Sequence, residues 1–308
     1  MRFTDPSNEA SMLSKEGASW LPVDLYVGGQ EHAVLHLLYA RFWHKVLFDL
    51  GLVDHPEPFR KLVHQGMILG TDGEKMSKSR GNVINPDDVV REHGADALRL
   101  YEMFMGPLEA VKPWQTGQLQ GVVRFRDKVF NLVKGGEGIS EEAPSGAIER
   151  EMHKTIKKVT GDIEALSFNT AISTLMIFTN SLIALKAPAP RRCLQVLVQL
   201  LSPFAPHVAE ECWQMLSQKE GLESATGSGI TYEPWPSYDE ALCVDTTAVI
   251  AIQINGKVRA KVEMEKDLPE ADAISLALAQ QGVLKYVSSG EKIKKAIYVP
   301  GRILNLLV

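Results

Sequence analysis

The chain has 308 residues, of which 45% are apolar and 23% are charged, and its net charge is −5. This length allows two or three domains, the composition is that of a soluble globular protein, and the lack of a long apolar run argues against a membrane role. The negative charge excludes a protein that coats nucleic acid non-specifically, and the three scattered cysteines suggest neither a zinc cluster nor a disulfide framework and suit a reducing compartment.

Positive charge is concentrated near the carboxyl end. From Asp245 to Val308 there are nine lysines and arginines against seven acidic residues, a net charge of +2, so the preceding 244 residues have a net charge of −7. A weakly basic segment permits a local contact with RNA but does not establish one.

The first regular segment is a strand that leads into a glycine turn and a helix. The apolar run Leu21–Val27 predicts a strand that ends at Gly28 and Gly29. A helix is expected from about Gln30 to Leu50, with one buried stripe at three- and four-residue spacing: Val34, Leu37, Leu38, Phe42, Val46 and Leu47. A strand, glycine turn and helix can place a ligand at the carboxyl edge of a parallel sheet, although a Gly-Gly pair is often only a turn.

Two histidines lie at the start of this helix. His32 and His36 are four residues apart and therefore share one helical face. A zinc site needs a third ligand, for which the sequence offers no clear candidate, so no protein-bound zinc is predicted. The two histidines are expected to line a pocket or to pack in the core.

A basic pentapeptide follows the next predicted strand. The segment Lys61–Leu69 predicts a strand that ends in the polar loop Gly70–Glu74, and Lys75–Ser79 (sequence KMSKS) comes directly after it. Two ammonium groups on a glycine-flanked loop can move over a polyphosphate and stabilise its developing negative charge. The alternative is a solvated basic loop without a ligand.

Beyond this lysine loop the pattern becomes helical. Asn85 and Pro86 predict a helix start, and a second helix follows Gly94. From about residue 117 to residue 220 only helical periodicity remains, interrupted by short breaks such as Ser202–Pro206. This arrangement predicts an antiparallel helical bundle.

The last part of the chain shows the pattern of a small β-rich domain. Residues 221–244 are turn-rich and are interpreted as a linker. Two alternating runs joined by Asn255-Gly256 predict a β-hairpin over residues 249–262. A helix at about 269–281 and a final strand at 295–299 are expected after it.

Several stretches together resemble one enzyme family. They are Tyr26–Ala33 with its continuation to Phe42, Lys75–Ser79, Phe168–Ala171, Pro203–His207 and Tyr298–Arg302. On these residues the chain resembles the carboxy-terminal part of leucyl-tRNA synthetases, which are class I aminoacyl-tRNA synthetases. The lysine loop identifies only the class, whereas the stretch around His32 and the carboxy-terminal ending favour leucine over valine, isoleucine or methionine.

The resemblance implies an α/β fold with a partial Rossmann-like parallel sheet. Residues 1–116 would form the second half of a catalytic nucleotide-binding domain, with the lysine loop and a stem-contact region. Residues 117–220 would form an all-α bundle of the anticodon-binding type. The linker 221–244 would then lead to a small α+β tRNA-binding domain over 245–308.

The resemblance also implies a two-step reaction in translation. Leucine and ATP, the latter with Mg²⁺, would give leucyl-adenylate and pyrophosphate, and the leucyl group would pass to tRNA(Leu). Lys75 and Lys78 would stabilise the phosphates as catalytic residues. The ATP site would include Gly28, Gly29, Glu31, Met67, Ile68 and Lys78, and the leucine pocket Tyr26, His32 and His36.

The basic residues of the carboxy-terminal segment are candidates for phosphate contacts with tRNA. They are Lys257, Arg259, Lys261, Lys292, Lys294, Lys295 and Arg302. A solvated basic face without RNA is the alternative interpretation.

The sequence departs from the family pattern in three respects. It contains no His-Ile-Gly-His-type motif, no editing domain and no leucine-specific insert before the lysine loop. In addition, the sequence of Met1–Pro6 is typical of the middle of a domain. We therefore expect inefficient adenylation by this chain alone, an unpaired sheet edge and an exposed apolar face, unless another chain supplies the amino-terminal half.

Two alternative functions follow from the same sequence. The chain could be a non-catalytic tRNA-binding or regulatory module, or another class I synthetase for an aliphatic amino acid. The intact lysine loop favours a synthetase over a binding module. The expected location is the cytoplasm, or an organelle matrix or stroma if the gene encodes a transit peptide.

Overall fold

The computed structural model describes residues 2–135, 138–218, 229–244, 247–287 and 293–308. The chain divides into two compact units, Met1–Ser237 and Tyr238–Val308. The division lies within the segment expected to be a linker, of which 221–228 fall outside the described residues, as do Gly136, Glu137 and Lys292. Among the described helices, none has both the length and the apolar character needed to cross a membrane.

The first unit begins with mixed structure and continues with helices. Its strands are β1 (Val23–Gly29), β2 (Phe59–Gln65), β3 (Ile68–Leu69) and β4 (Lys112–Pro113). Its α-helices are α1 (Lys15–Ala18), α2 (Leu38–Asp49), α3 (Pro86–His93), α4 (Ala95–Phe104), α5 (Thr116–Lys134), α6 (Gly146–Glu164), α7 (Phe168–Ile183), α8 (Arg191–Leu201) and α9 (Pro206–Gln218).

β1 and β2 form a parallel sheet that has two strands within the described residues. Their register runs from Val23 opposite Phe59 to Gly29 opposite Gln65, so both strands end at the same edge. β3 and β4 form a second parallel pair. The predicted strand Lys61–Leu69 is therefore interrupted at Gly66, whose N–H donates to Leu108 O at 2.8 Å.

The predicted helix from Gln30 to Leu50 is not continuous α-helix. A 3₁₀ turn covers Gln30–His32, a π-helical turn covers Ala33–Leu37, and α2 begins only at Leu38. The regular spacing in the sequence did not reveal this change of pitch, because single turns of 3₁₀- and π-helix are too short to alter the apolar periodicity of the whole segment.

The predicted buried stripe was also wrong for most of its members. Only Leu37 is buried, and Val46 and Leu47 are partly buried. Val34, Leu38 and Phe42 are 75%, 60% and 59% exposed. Because the two-stranded sheet covers little of α2, the apolar side chains face outward, and the expectation of an exposed apolar face is confirmed.

The helical bundle follows its prediction closely. Ala171, Leu175, Phe178 and Leu182 line the inner face of α7 and are at most 2% exposed. They belong to one core with α5, α6, α8 and α9, and this core also includes Leu100 and Tyr101 of α4. The segment that contains α3 and α4 and the helical bundle therefore share a single hydrophobic core within the first unit.

The second unit is a four-stranded sheet with helices against it. It contains α10 (Glu240–Cys243), β5 (Thr247–Ile254), β6 (Lys257–Glu265), α11 (Glu270–Leu278), α12 (Gln281–Val287), β7 (Lys295–Val299) and β8 (Ile303–Leu307). The strand order is β6-β5-β8-β7, with β5 and β8 parallel and the other pairs antiparallel.

The predicted hairpin of the second unit is confirmed, whereas two other features were missed. Asn255 and Gly256 have φ values of 48° and 80°, the left-handed conformations that a tight hairpin turn requires. The predicted helix 269–281 is in fact two helices, because the chain turns at Ala279–Gln280. Strand β8 was not predicted, although Ile303–Leu307 alternates between partly buried and buried positions.

Candidate functional site

A cavity lies at the carboxyl end of β1 and at the helix that follows it. This first cavity has a volume of about 380 Å³. It is lined by Tyr26, Val27, Gly28, Gly29, Glu31, His32, His36, Leu37, Leu62 and Gln65. The parallel register brings both strand ends to this edge, so the structure places together all six residues predicted from the strand–turn–helix segment.

Tyr26 determines the shape of the first cavity. Its hydroxyl oxygen lies 2.6 Å from Nε2 of His36, a hydrogen bond across the cavity. Its ring stacks on Phe59, with 4.0 Å between the ring centroids. The His32 ring stands perpendicular to the His36 ring at 6.5 Å. The phenol and the two imidazole rings therefore form one side of the first cavity.

Gly29 allows a close approach of the Glu31 carboxylate. A Cβ atom at Gly29 would lie 2.2 Å from Oε2 of Glu31, so any other residue would displace this side chain. The carboxylate is half exposed, at the first turn of the helix, and can accept hydrogen bonds from hydroxyl groups of a ligand. The neighbouring Gly28 has no heavy atom near its Cβ position, which leaves open space above the backbone.

A second cavity adjoins the first and shares Val27, Gly29, Glu31 and Gln65 with it. Its volume is about 620 Å³. Met67 and Ile68 contribute apolar wall, and the sequence had predicted both as ligand contacts. The cavity continues to Gly66, Glu102, Met103, Gly106, Leu108, Lys112, Leu166 and Phe168.

Glu102 and Lys112 are charged residues of the second cavity that the sequence analysis missed. Burial raises the pKa of the Glu102 carboxyl, and the Arg99 guanidinium acts against this shift. Burial lowers the pKa of the Lys112 ammonium, whose Nζ donates to Gly106 O at 3.2 Å. No local motif marks either residue, because both reach the cavity through the packing of α4 and β4.

The lysine loop has a well-defined backbone. Asn82, three residues after the loop, holds it through its side chain: its Oδ1 accepts from Ser77 N at 2.9 Å, and its Nδ2 donates to both carboxylate oxygens of Asp72 and to Lys75 O. The Ser77 side chain caps the 3₁₀ turn Lys78–Arg80. The Asp72 carboxylate also accepts from Glu74 N, which lowers its pKa, and the Asn82 amide adds to this effect.

The two lysines of the loop are exposed. Lys75 is joined to Leu69 by a β-bridge, and Lys78 begins the 3₁₀ turn. Among the described residues that line the two cavities, neither lysine is included. Met76 between them packs against the hydrophobic core of the first unit, so the loop has an anchored centre and free ammonium groups on either side.

The predicted RNA-contacting residues of the second unit do not form one patch. Lys257, Lys294 and Lys295 lie at one end of the sheet, whereas Arg302 lies in the β7–β8 turn at the other end. Lys261 is exposed on β6, an edge strand. Arg259 is partly buried, with its guanidinium 4.1 Å from the centre of the Tyr286 ring. Lys292 lies outside the described residues.

A metal-binding cluster does not occur within the described ranges. No group of three or more His, Cys, Asp and Glu side chains there is arranged to hold a metal ion. His36 is hydrogen bonded to Tyr26, which gives this imidazole a role without a metal.

Two family models match the chain. The model for class I tRNA synthetases of the I, L, M and V types matches residues 11–112, which include both strands of the first sheet and the lysine loop. The model for the anticodon-binding domain of tRNA ligases matches residues 146–275.

Curated relatives match over the whole chain. A leucine–tRNA ligase of Sorangium cellulosum is 58% identical over 309 residues, which cover 100% of this chain and 35% of the relative. One of Bdellovibrio bacteriovorus is 52% identical over 314 residues, covering 100% of this chain and 38% of the relative. The chain thus spans just over a third of the length of these relatives.

Solved structures show the same relationship. A leucyl-tRNA synthetase from Agrobacterium radiobacter K84, in a ternary complex with tRNA and LeuAMS, superposes with a TM-score of 0.72 at 36% identity. The match covers 99% of this chain and 41% of that protein. Methionyl-tRNA synthetase of Mycobacterium tuberculosis matches with a TM-score of 0.53 at 17% identity, over 72% of this chain and 52% of that protein, a similarity of fold alone.

Proposed function

Because this chain is homologous along its whole length to the carboxy-terminal part of leucine–tRNA ligases, we propose that it contributes half of the active site and the RNA-binding domains of such an enzyme. The reaction is the ATP-dependent activation of leucine to leucyl-adenylate, followed by transfer of the leucyl group to tRNA(Leu). The observation that carries this proposal is the pair of adjoining cavities at the carboxyl edge of β1, next to an intact lysine loop.

The first cavity suits the side chain and amino group of leucine. Its volume of about 380 Å³ is at the lower end of small-molecule pockets. The hydrogen bond between Tyr26 and His36 holds two rings of the wall together, and Val27, Leu37 and Leu62 add apolar surface. A branched aliphatic side chain would be recognised by the shape of this wall.

The second cavity suits the adenosine part of ATP. Its volume of about 620 Å³ and the apolar surfaces of Met67 and Ile68 fit a planar base. Glu31 lies at the junction of the two cavities, where its carboxylate can accept from the ribose hydroxyls. An α-phosphate would then reach the amino acid at the shared residues Gly29 and Glu31.

Lys75 and Lys78 would act on the phosphates of ATP. Both lysines are exposed and neither lines the two cavities, so the loop would have to close over the bound nucleotide. Two positive charges would stabilise the charge that develops on the leaving pyrophosphate. Mg²⁺ would enter with ATP as part of the substrate, because it binds mainly through phosphate oxygens.

The exposed face of α2 is the proposed contact for the rest of the enzyme. Leu38, Tyr39, Phe42 and Trp43 are each about 60% exposed, a larger apolar cluster than a monomer usually shows. This chain matches only 35% and 38% of the two relatives, so more than half of each relative lies outside the match. We propose that this remainder, on the same or another chain, covers α2 and pairs with the small sheet. The complete enzyme would act in the cytoplasm or in an organelle that translates.

The experiment is leucine-dependent exchange of pyrophosphate into ATP. The chain is assayed alone and together with the amino-terminal part of a relative, and the same is done with Lys78→Ala. We expect exchange only in the mixture, and about a hundredfold slower exchange with Lys78→Ala. The control variant is Lys15→Ala, which removes an exposed lysine that lines neither cavity.

The outcomes of this experiment separate the alternatives. Exchange with valine or isoleucine but not leucine would assign another aliphatic amino acid. Binding of tRNA(Leu) without exchange in any mixture would replace the proposal by a non-catalytic RNA-binding module.

A further inference from the structure

Two side chains of α4 hold the connection between α8 and α9. Asp96 is only 5% exposed, and its carboxylate accepts from Val208 N at 2.7 Å, from His207 N at 3.3 Å and from His207 Nδ1 at 2.8 Å. Arg99, three residues later, donates to Pro203 O at 2.7 Å and to Phe204 O at 3.1 Å. These contacts join positions more than a hundred residues apart.

Asp96 replaces a cap that α9 lacks in its own sequence. α9 begins at Pro206, and the residue before it is Ala205, whose methyl side chain cannot accept from the first N–H groups of the helix. A buried carboxylate at this end also interacts favourably with the helix dipole. The amino terminus of α9 therefore depends on a residue of the nucleotide-binding segment.

The same segment supports the lysine loop. The loop leads directly into α3 and α4, and Arg126 of α5 donates to His93 O at 2.5 Å, where α3 ends. Met76 in the centre of the loop and Ile84 after it pack against the core that α4 and the bundle share. A movement of the α9 amino terminus would thus reach the loop through α4 and this common core.

We propose that Asp96 and Arg99 are positioning residues that couple the bundle to the lysine loop, so that RNA bound by the bundle adjusts the position of Lys75 and Lys78. This proposal rests on the proposed function, because it assigns the RNA and the nucleotide to one enzyme. Neither residue lines the two cavities of the candidate site. They fix α4 against the α8–α9 connection. A movement of this connection would therefore move α4, and the shared core would transmit that movement to the lysine loop.

The test is hydrogen–deuterium exchange of the full chain with three variants. Asp96→Asn removes the charge from the cap, and Arg99→Met removes the donors while keeping an aliphatic side chain. Asp88→Asn is the matched control, because Asp88 lies on neighbouring α3, is exposed and pairs with Arg91 within its own helix. Arg99 is exposed, so Arg99→Met remains informative if Asp96→Asn does not fold.

In the free chain, we expect exchange to rise about fivefold in both 203–208 and 70–82 for the Asp96 and Arg99 variants. Amides of α6 and α7 should not change, whereas a loss of overall stability would raise exchange in these helices as well. Equal exchange of the lysine loop in Arg99→Met and in the Asp88→Asn control would overturn the proposal.

The second part of the test uses a tRNA(Leu) transcript. We expect RNA to slow exchange in the bundle and in 70–82 of the unmodified chain and of Asp88→Asn. The transcript should bind Arg99→Met within about threefold of the normal affinity. It should not, however, slow hydrogen–deuterium exchange of residues 70–82 in this variant. A loop response that persists in this variant would overturn the coupling. If the transcript binds no variant, the proposed function fails, whereas the free-chain comparison still decides whether α4 couples the two regions.

Discussion

At the scale of single residues, the hydroxyl group of Tyr26 is the polar atom that organises the first cavity. It holds His36 at 2.6 Å, while the stacking of its ring on Phe59 does not depend on the hydroxyl. We therefore expect Tyr26→Phe to leave the fold intact and to release His36. In the complemented enzyme, the KM for leucine should rise about fivefold, the effect of one lost hydrogen bond, while the KM for ATP changes little.

Steady-state pyrophosphate exchange at varied leucine and varied ATP measures both constants. The control is Tyr232→Phe, which removes a hydroxyl from an exposed tyrosine that lines neither of the two cavities. An equal rise of both KM values with Tyr26→Phe would contradict the assignment of this cavity to leucine.

The cysteines provide a prediction about reactivity and pH. Burial raises the pKa of Cys193 and of Cys212 to about 12, whereas Cys243 is only partly buried. At pH 8 a thiol reagent should modify Cys243 quickly and the other two only after unfolding, because the thiolate is the reactive form. Counting modified thiols by mass spectrometry, with and without denaturant, checks this expectation. Rapid native modification of two or three thiols would contradict it.

The same two thiols predict a loss of stability in alkaline solution. Their pKa is higher in the folded chain than in the unfolded chain, so unfolding releases protons once the pH exceeds the ordinary thiol pKa of about 8.5. Their contribution to the free energy of unfolding is complete below that pH and is lost between about pH 9 and pH 12. Urea unfolding at several pH values should show a smaller decline for Cys193→Ala than for the unmodified chain.

At the scale of elements, the interruption between β2 and β3 positions the wall of the second cavity. A Cβ atom at Gly66 would lie 2.0 Å from Ala110 O, on the segment that pairs with this strand. Gly66→Ala should therefore displace Met67 and Ile68, destabilise the chain by about 1–3 kcal/mol and raise the KM for ATP more than the KM for leucine.

Gly161 offers a matched control for this substitution. It is exposed in the last turn of α6, and no atom beyond its own stretch of helix lies within 4 Å of its Cβ position. Gly161→Ala should stabilise the chain by about 0.5–1 kcal/mol, because alanine loses less backbone entropy in a helix. Thermal unfolding of both variants compares them directly, and a stabilising Gly66→Ala would show that the strand interruption is not sterically fixed.

Elements with strong local signals could be predicted from the sequence. Asn85 caps α3 through Asp87 N, and the Asn255-Gly256 turn has the backbone angles that its sequence predicts. The bundle helices were also found, because their burial comes from their neighbours in the chain. The candidate site was predictable where one segment supplies it, from Tyr26 to His36.

Features that depend on distant packing could not be predicted. Glu102 enters the second cavity from α4, and the partners of Asp96 lie 111 and 112 residues away. The predicted burial of the apolar stripe on α2 was wrong for a different reason. Its periodicity shows that the apolar side chains share one face, but periodicity does not say whether residues of this chain cover that face.

At the scale of the whole molecule, the chain combines a buried helical core with an uncovered sheet and helix α2. The bundle buries its apolar residues within the first unit, whereas α2 and the two-stranded sheet expose theirs. The same residues should therefore have opposite effects in the isolated chain and in the complete enzyme. On its own, the chain gains from polar substitutions on α2, because exposed apolar clusters promote association. In the complete enzyme such substitutions remove the proposed contact.

The double variant Leu38→Gln and Phe42→Gln tests this opposition. We expect the isolated variant to remain monomeric at concentrations at which the unmodified chain associates, as measured by sedimentation or light scattering. With the amino-terminal part of a relative added, the variant should show at least tenfold less leucine-dependent exchange, because about 60% of each apolar side chain is available for burial in a contact. The control is Ile177→Gln on α7, a residue that is 63% exposed on the bundle, and it should change neither property. Normal exchange in the double variant would show that the amino-terminal part binds to another surface. If that part buried α2, the two introduced amides would weaken its binding.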